Sequence, residues 1–343
     1  MAEIKPLSNN ENRVRLADVV PLDYPYAFYV YPTNRCNFKC NYCLHALDKE
    51  TLKSRYDIDD TDLSLNTFEV ALNGLKEDGR KLKSVIFVGQ GEPLLNRDLP
   101  AMISLTMRSG ITEHAEVITN GSLLTPDVSD KLISAGLSIL KISVQGVTTE
   151  KYKSVCGVGL SINKLISNIE YYYSHKLPNQ QMYIKTMDVA LDDGDEQLFF
   201  DMFNPISDRI HIENVKPVYD GVAYKENPSA VVESRYGDIH RPRKVCPPCF
   251  FQITIFPDGG VCHCETIYKP QHLGNVNEKT MLEMWRSEKV KDFWRGMLKY
   301  GKDHFPGCAA CCAPDDCSRP EDTLDDDAMQ ILTRMNGDDD NGQ

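Results

Sequence analysis

No stretch of the 343-residue chain approaches the ~20 uninterrupted apolar residues that a membrane-spanning helix needs, which argues against a helical span. The amino terminus, Met1-Ala-Glu-Ile-Lys-Pro6, has no apolar core of the kind that marks a secretory signal. Positive charge is short as well. Against 50 Asp and Glu stand 38 Lys and Arg, a net charge of −12 that disfavours a nucleic-acid backbone as partner. No repeat at a solenoid period is evident. These absences lead to the expectation of a soluble cytoplasmic protein. A hydrophobic content of 41% is ordinary for a globular core, and the length suggests one large domain with a smaller module.

Cysteine, by contrast, is plentiful. Eleven of the twelve fall into three groups, a distribution that favours ligand sets over scattered core thiols. In a reducing compartment such thiols are metal ligands sooner than disulfides. The first group is Cys36, Cys40 and Cys43, spaced C-x3-C-x2-C, with no fourth ligand nearby. Structural zinc sites close with four protein ligands, and iron–sulfur clusters usually take four cysteines. Three thiolates on a cluster leave one iron free for a substrate or cosubstrate.

Six strand-like runs (27–31, 83–88, 115–119, 139–144, 182–189 and 210–215) alternate with helix-like segments at 64–78, 98–109, 126–135 and 161–174. Alternation of this kind implies βαβ units and a parallel sheet, whose functional groups gather at the carboxyl ends of the strands. The cysteine triad, Gly89-Gln-Gly-Glu-Pro93, Thr119-Asn-Gly121 and Ser143-Val-Gln-Gly146 all fall at such ends.

The triad, with aromatic Tyr42 just before its last cysteine, resembles the C-x3-C-x-φ-C signature of radical S-adenosylmethionine (radical SAM) enzymes. The resemblance implies an α/β partial (β/α)6 barrel over 27–219. It further implies a 4Fe–4S cluster on Cys36, Cys40 and Cys43, with S-adenosylmethionine on its open iron and a 5′-deoxyadenosyl radical that removes a substrate hydrogen. Gly89, Gly91, Glu92 and Pro93 resemble the family's G-G-E-P stretch, which receives the methionyl amino group. Asn120 and Ser143 match further strand ends, Ser143 as a hydroxyl donor to the cosubstrate and Asn120 equally as a turn former. Cys156-Gly157 departs from an Arg-Gly pair common in relatives. A thiol there could return a hydrogen atom to a substrate radical, or be a small core residue. Lys185 is expected to be solvated.

Residues 246–320 resemble the SPASM/twitch extension of the same family. Cys246 and Cys264 match its hairpin through Gly259, while Cys308, Cys311 and Cys317 begin its C-x2-C-x5-C-x3-C run, which breaks at Glu321. The implied auxiliary 4Fe–4S cluster takes Cys246, Cys264, Cys308 and Cys311. Cys249, Cys262, Cys312 and Cys317 are left over, enough by number for a second cluster, and a zinc ribbon is the alternative. Residues 1–26 read as an extension, 220–245 as a connector, and 321–343 as an acidic, disordered tail. The expected activity is radical dehydrogenation or epimerisation of a sugar, cyclitol or similar small polar metabolite. It would pass an electron to the auxiliary cluster and draw on a flavodoxin- or ferredoxin-type reductant. Maturation of a precursor peptide is the second reading, disfavoured because only 26 residues precede the first strand. A non-enzymatic zinc-binding protein is the third.

Overall fold

The computed structural model describes residues 1–6, 13–216, 222, 233–236, 238–239 and 242–340, with backbone alone over 338–340. Most of the expected connector 220–245 therefore lies outside the described residues. Among the described residues one sheet of ten strands organises the fold: β1 (Glu3–Ile4), β2 (Ala27–Val30), β3 (Ser84–Phe87), β4 (Ala115–Thr119), β5 (Ile139–Val144), β6 (Gln181–Met187), β7 (Arg209–Glu213), β8 (Gln252–Ile255), β9 (Gly260–Cys262) and β10 (His272–Asn275). Their spatial order is β1-β7-β6-β5-β4-β3-β2-β8-β9-β10. From β2 to β7 every pairing is parallel and follows chain order, which makes the partial (β/α)6 barrel.

Strand alternation decides which side chains reach the lumen. Phe28, Val30, Leu140, Ile142, Val144, Met182 and Ile184 turn outward and are fully buried beneath the helices. Their neighbours Tyr29, Lys141, Tyr183 and Lys185 turn inward. The outer helices begin where short polar side chains satisfy free N–H groups. Ser64, Thr125 and Ser161 cap the helices Leu65–Lys76, Pro126–Ser134 and Ile162–His175. Two further helices, Thr149–Cys156 and Asp195–Phe203, have weak apolar stripes and are not legible from periodicity. After the hairpin come two helices, Met281–Trp285 and Glu288–Tyr300.

The second module is an extension of the barrel sheet. Its strand β8 runs parallel to β2, with Ala27 opposite Gln252 and Val30 opposite Ile255, and the hairpin continues through β9 to β10. At the other edge, the amino-terminal extension adds β1 to β7.

The acidic tail departs from its expected disorder. Residues Ala328–Asp340 form a helix, and Leu324, Ala328, Ile331 and Met335 are buried. Their spacing of three and four residues makes an apolar stripe that the surrounding aspartates disguise in composition. Arg13 pairs with Asp322 at 2.5 Å, and the Lys244 N–H donates to Asp325 at 2.7 Å. No helix among the described residues is long and apolar enough to cross a membrane.

Candidate functional site: two thiol sets around a polar lumen

The loop after β2 carries the first three cysteines. Thr33 and Arg35 anchor its start to Asp62, and its far side docks on the end of the helix Thr149–Cys156. There the N–H groups of Lys39 and Asn41, on either side of Cys40, donate to the carbonyls of Cys156 and Val155 at 2.9 and 2.8 Å. Burial pushes the Cys36 and Cys43 thiols up to about 12. The bare thiols are therefore protonated near neutrality, and iron binding must displace those protons. No group of three or more His, Cys, Asp or Glu side chains among the described residues gathers closely enough for a single metal ion. A cluster, in which each thiolate takes a different iron, asks for a wider spread.

The strand end after β3 is pressed against this loop. A Cβ on Gly91 would lie 2.4 Å from the Thr33 carbonyl oxygen and 2.5 Å from that of Arg35. At Gly89, with φ +137°, a Cβ would meet the Tyr31 ring at 2.7 Å. Glu92 does not point into open space. Its buried carboxylate accepts from the Leu94 N–H (3.0 Å), the Thr119 hydroxyl (2.5 Å) and the Asn120 N–H (2.7 Å), tying the ends of β3 and β4 together. Burial nevertheless raises its pKa. Pro93 starts the short turn that follows. Asn120 both forms its turn, accepting from Ser122, and reaches Asn37 of the cysteine loop at 3.0 Å. The Tyr42 hydroxyl donates to the Gln145 side chain, whose amide returns to the Ser143 carbonyl at 3.1 Å. Ser143 stands half-buried near the end of β5, on the same face as Lys141.

Below these strand ends lies a cavity of about 500 Å³ that sequence reasoning missed. Its wall holds Lys141 paired with Glu116 (2.5 Å), Lys185 with Glu213 (2.6 Å) and Arg235 with Asp316 (2.5 Å). Lys185, expected in solvent, is buried here. The available signal was charged residues at inward positions of interior parallel strands, which are normally apolar on both faces. Tyr29, Glu265, Gln252 and Cys317 also line the cavity. The Gln252 side chain is 2% exposed, and its oxygen has no hydrogen-bond partner.

The second thiol set is sorted by the fold. Cys246, Cys264, Cys308 and Cys311, with Cys249, line one small cavity on the hairpin module. Burial raises the Cys264 thiol to about 12 and those of Cys308 and Cys311 further. Cys317 is not among them; it faces the large lumen. Cys262 packs with Tyr31 and Phe256. Cys156 does not line the lumen either. It is fully buried, its sulfur 3.6 Å from that of Cys40.

Both modules match known families. The Radical SAM superfamily model matches residues 30–198, and the SPASM iron–sulfur cluster-binding domain matches 246–312. The chain belongs to the radical SAM superfamily and carries a SPASM domain, and the two matches span the triad and the hairpin thiols respectively. A probable GTP 3′,8-cyclase from Metallosphaera sedula is 33% identical over 138 residues, 40% of this chain and 39% of that protein. The chain thus spans about 40% of the length of the curated relatives it matches first. Among solved structures, SuiB of Streptococcus suis bound to S-adenosylmethionine is similar at TM-score 0.62 and 16% identity, covering 92% of this chain and 79% of that one. BtrN in complex with AdoMet and 2-DOIA is similar at TM-score 0.52 and 17% identity, covering 83% and 92%. These likenesses are of fold.

Proposed function

We propose that this chain abstracts a hydrogen atom from an unactivated C–H bond of a small, hydroxyl-rich polar molecule held in the barrel lumen, ending in dehydrogenation or epimerisation. Bound at Cys36, Cys40 and Cys43, a reduced 4Fe–4S cluster with S-adenosylmethionine supplies the 5′-deoxyadenosyl radical. Gly89 and Gly91 bring strand-end backbone close to the cosubstrate, with Ser143 and Asn120 beside it, while Glu92 braces that surface. Below, the paired ions and the Gln252 oxygen offer donors and acceptors to hydroxyl groups. Cys246, Cys264, Cys308 and Cys311 stand across Gln252 and Glu265 from the same cavity, a position suited to receive an electron from an oxidised substrate. Electrons enter from a flavodoxin- or ferredoxin-class donor in a reducing, cytoplasmic setting.

The observation that carries this reading is the charge balance of the lumen. Lys141, Lys185 and Arg235 each already hold a carboxylate, as do Arg13, Lys81 and Arg319 elsewhere on the lining, so these cations are neutralised rather than waiting for a triphosphate such as GTP. A volume of about 500 Å³ suits a small molecule. A peptide offering one side chain to the lumen is the second reading, in keeping with the solved complex of SuiB with its precursor peptide SuiA. The iron–sulfur description of the SPASM match speaks against a zinc-binding protein without activity.

Anaerobically reconstituted protein should form 5′-deoxyadenosine in a substrate-dependent way with sugars, cyclitols or their derivatives. Formation only with a peptide would overturn the substrate class.

A further inference from the structure

We propose that Cys156 is a positioning residue for the triad, its thiol donating a hydrogen bond to the Cys40 sulfur and raising the reduction potential of the cluster that Cys40 binds. The inference rests on the reading that Cys36, Cys40 and Cys43 hold an iron–sulfur cluster, and it replaces the role of Cys156 as a hydrogen donor to substrate.

The geometry is over-determined. Cys156 is the last residue of its helix, which Thr148 caps at the start and Gly157, at φ +70°, closes. Two backbone hydrogen bonds clamp the cysteine loop to this helix end, from Lys39 to the Cys156 carbonyl and from Asn41 to the Val155 carbonyl. They flank Cys40, so the two sulfurs face each other at 3.6 Å by construction of the backbone. Tyr152, which is fully buried and stacks edge-on with Phe38, fills the space behind. Cys156 has 0% exposure and no wall in the lumen, so its thiol has no access to a substrate there.

Proton bookkeeping fixes the direction of the bond. While Cys40 is a thiol, either sulfur can donate. Once Cys40 has released its proton to solvent on binding iron, it can only accept, and Cys156 is the donor. A hydrogen bond to a ligand sulfur withdraws electron density and favours the reduced cluster, whose charge is more negative. No electron or atom is transferred by Cys156 itself.

The test uses the full-length, reconstituted protein and two substitutions of similar size. Cys156→Val fills the volume without a donor, and Cys156→Ser keeps an O–H donor. A potentiometric EPR titration follows the signal that is lost when Cys36, Cys40 and Cys43 are all replaced by alanine. With iron content unchanged, the midpoint of Cys156→Val should move to more negative potential, while Cys156→Ser stays near or above the parent. Equal shifts in both variants, or none in Cys156→Val, overturn the proposal. If no signal depends on the three cysteines, the underlying reading fails instead. In metal-free parent protein, a mild two-electron thiol oxidant should join Cys40 and Cys156 as a disulfide detectable by peptide mapping, both thiols losing their hydrogens to the oxidant. Failure to form that bond would contradict the facing sulfurs.

Discussion

Replacing Glu92 with alanine tests whether this carboxylate is a brace between two strand ends. Three donors would lose their acceptor at once: the Leu94 N–H, the Thr119 hydroxyl and the Asn120 N–H. Hydrogen bonds to a charged group are each worth about 1.5–3 kcal/mol, and a buried donor left unpaired costs about 1–3 kcal/mol. The three share one partner, so their costs do not add. Glu92→Ala should therefore lose about 3–5 kcal/mol, a large part of the ~5–15 kcal/mol typical of a folded domain. Glu92→Gln keeps one acceptor oxygen but turns an NH2 towards the other donors, and should lose about 1–3 kcal/mol. Urea unfolding of the metal-free proteins reads both values, provided the slope is unchanged. The pH dependence has a definite sign. Burial raises the Glu92 pKa above its ordinary 4.5, so the folded state holds this proton more tightly than the unfolded chain. That contribution is full below the unfolded pKa and is lost as pH rises through the folded one. The stability gap between parent and Glu92→Gln should accordingly narrow from acid towards neutral pH. A Glu92→Ala cost within about 0.5 kcal/mol of zero, the scale of an ordinary surface change, would refute the brace.

Three other outcomes follow from the same geometry. Lys185→Met strands the buried Glu213 carboxylate and should cost about 3–5 kcal/mol, whereas adding Glu213→Leu should restore most of that stability without restoring turnover; a double variant that still turns over would remove the lumen from the account. Iron analysis of Cys317→Ala should match the parent, while Cys264→Ala or Cys308→Ala should lose one cluster's worth; the opposite pattern would make Cys317 a ligand. Gly91→Ala forces a Cβ to within 2.4 Å of a backbone oxygen and should cost about 1–3 kcal/mol or more, with iron lost from the triad when the loop shifts. Normal iron content and stability would mean the contact relaxes freely.

The strands β4 and β5 were legible residue for residue, because β-branched runs bounded by turn formers leave little choice of register. The thiol motifs were equally plain, since ligand spacing is a local property. What escaped was non-local. A lysine in a strand reads as solvent-facing until a neighbouring strand supplies Glu213 beside it. Cys156 and Cys40 lie more than a hundred residues apart, and only the docking of a helix end on the cysteine loop brings their sulfurs together. Cys317 sits in a run that suggests a ligand, and it lines the lumen, whereas Cys308 and Cys311 line the smaller cavity. The tail failed by composition, its aspartates hiding the apolar stripe of Leu324, Ile331 and Met335.

The central claim is that three thiols on the loop after β2 hold an iron–sulfur cluster with an open iron for S-adenosylmethionine. Its most direct test compares reconstituted parent protein with a variant carrying alanine at positions 36, 40 and 43, measuring iron per chain and reductant-dependent 5′-deoxyadenosine. The account predicts a loss of about four irons, one 4Fe–4S unit, together with all nucleoside formation. Undiminished iron and continued 5′-deoxyadenosine release in the variant would contradict it.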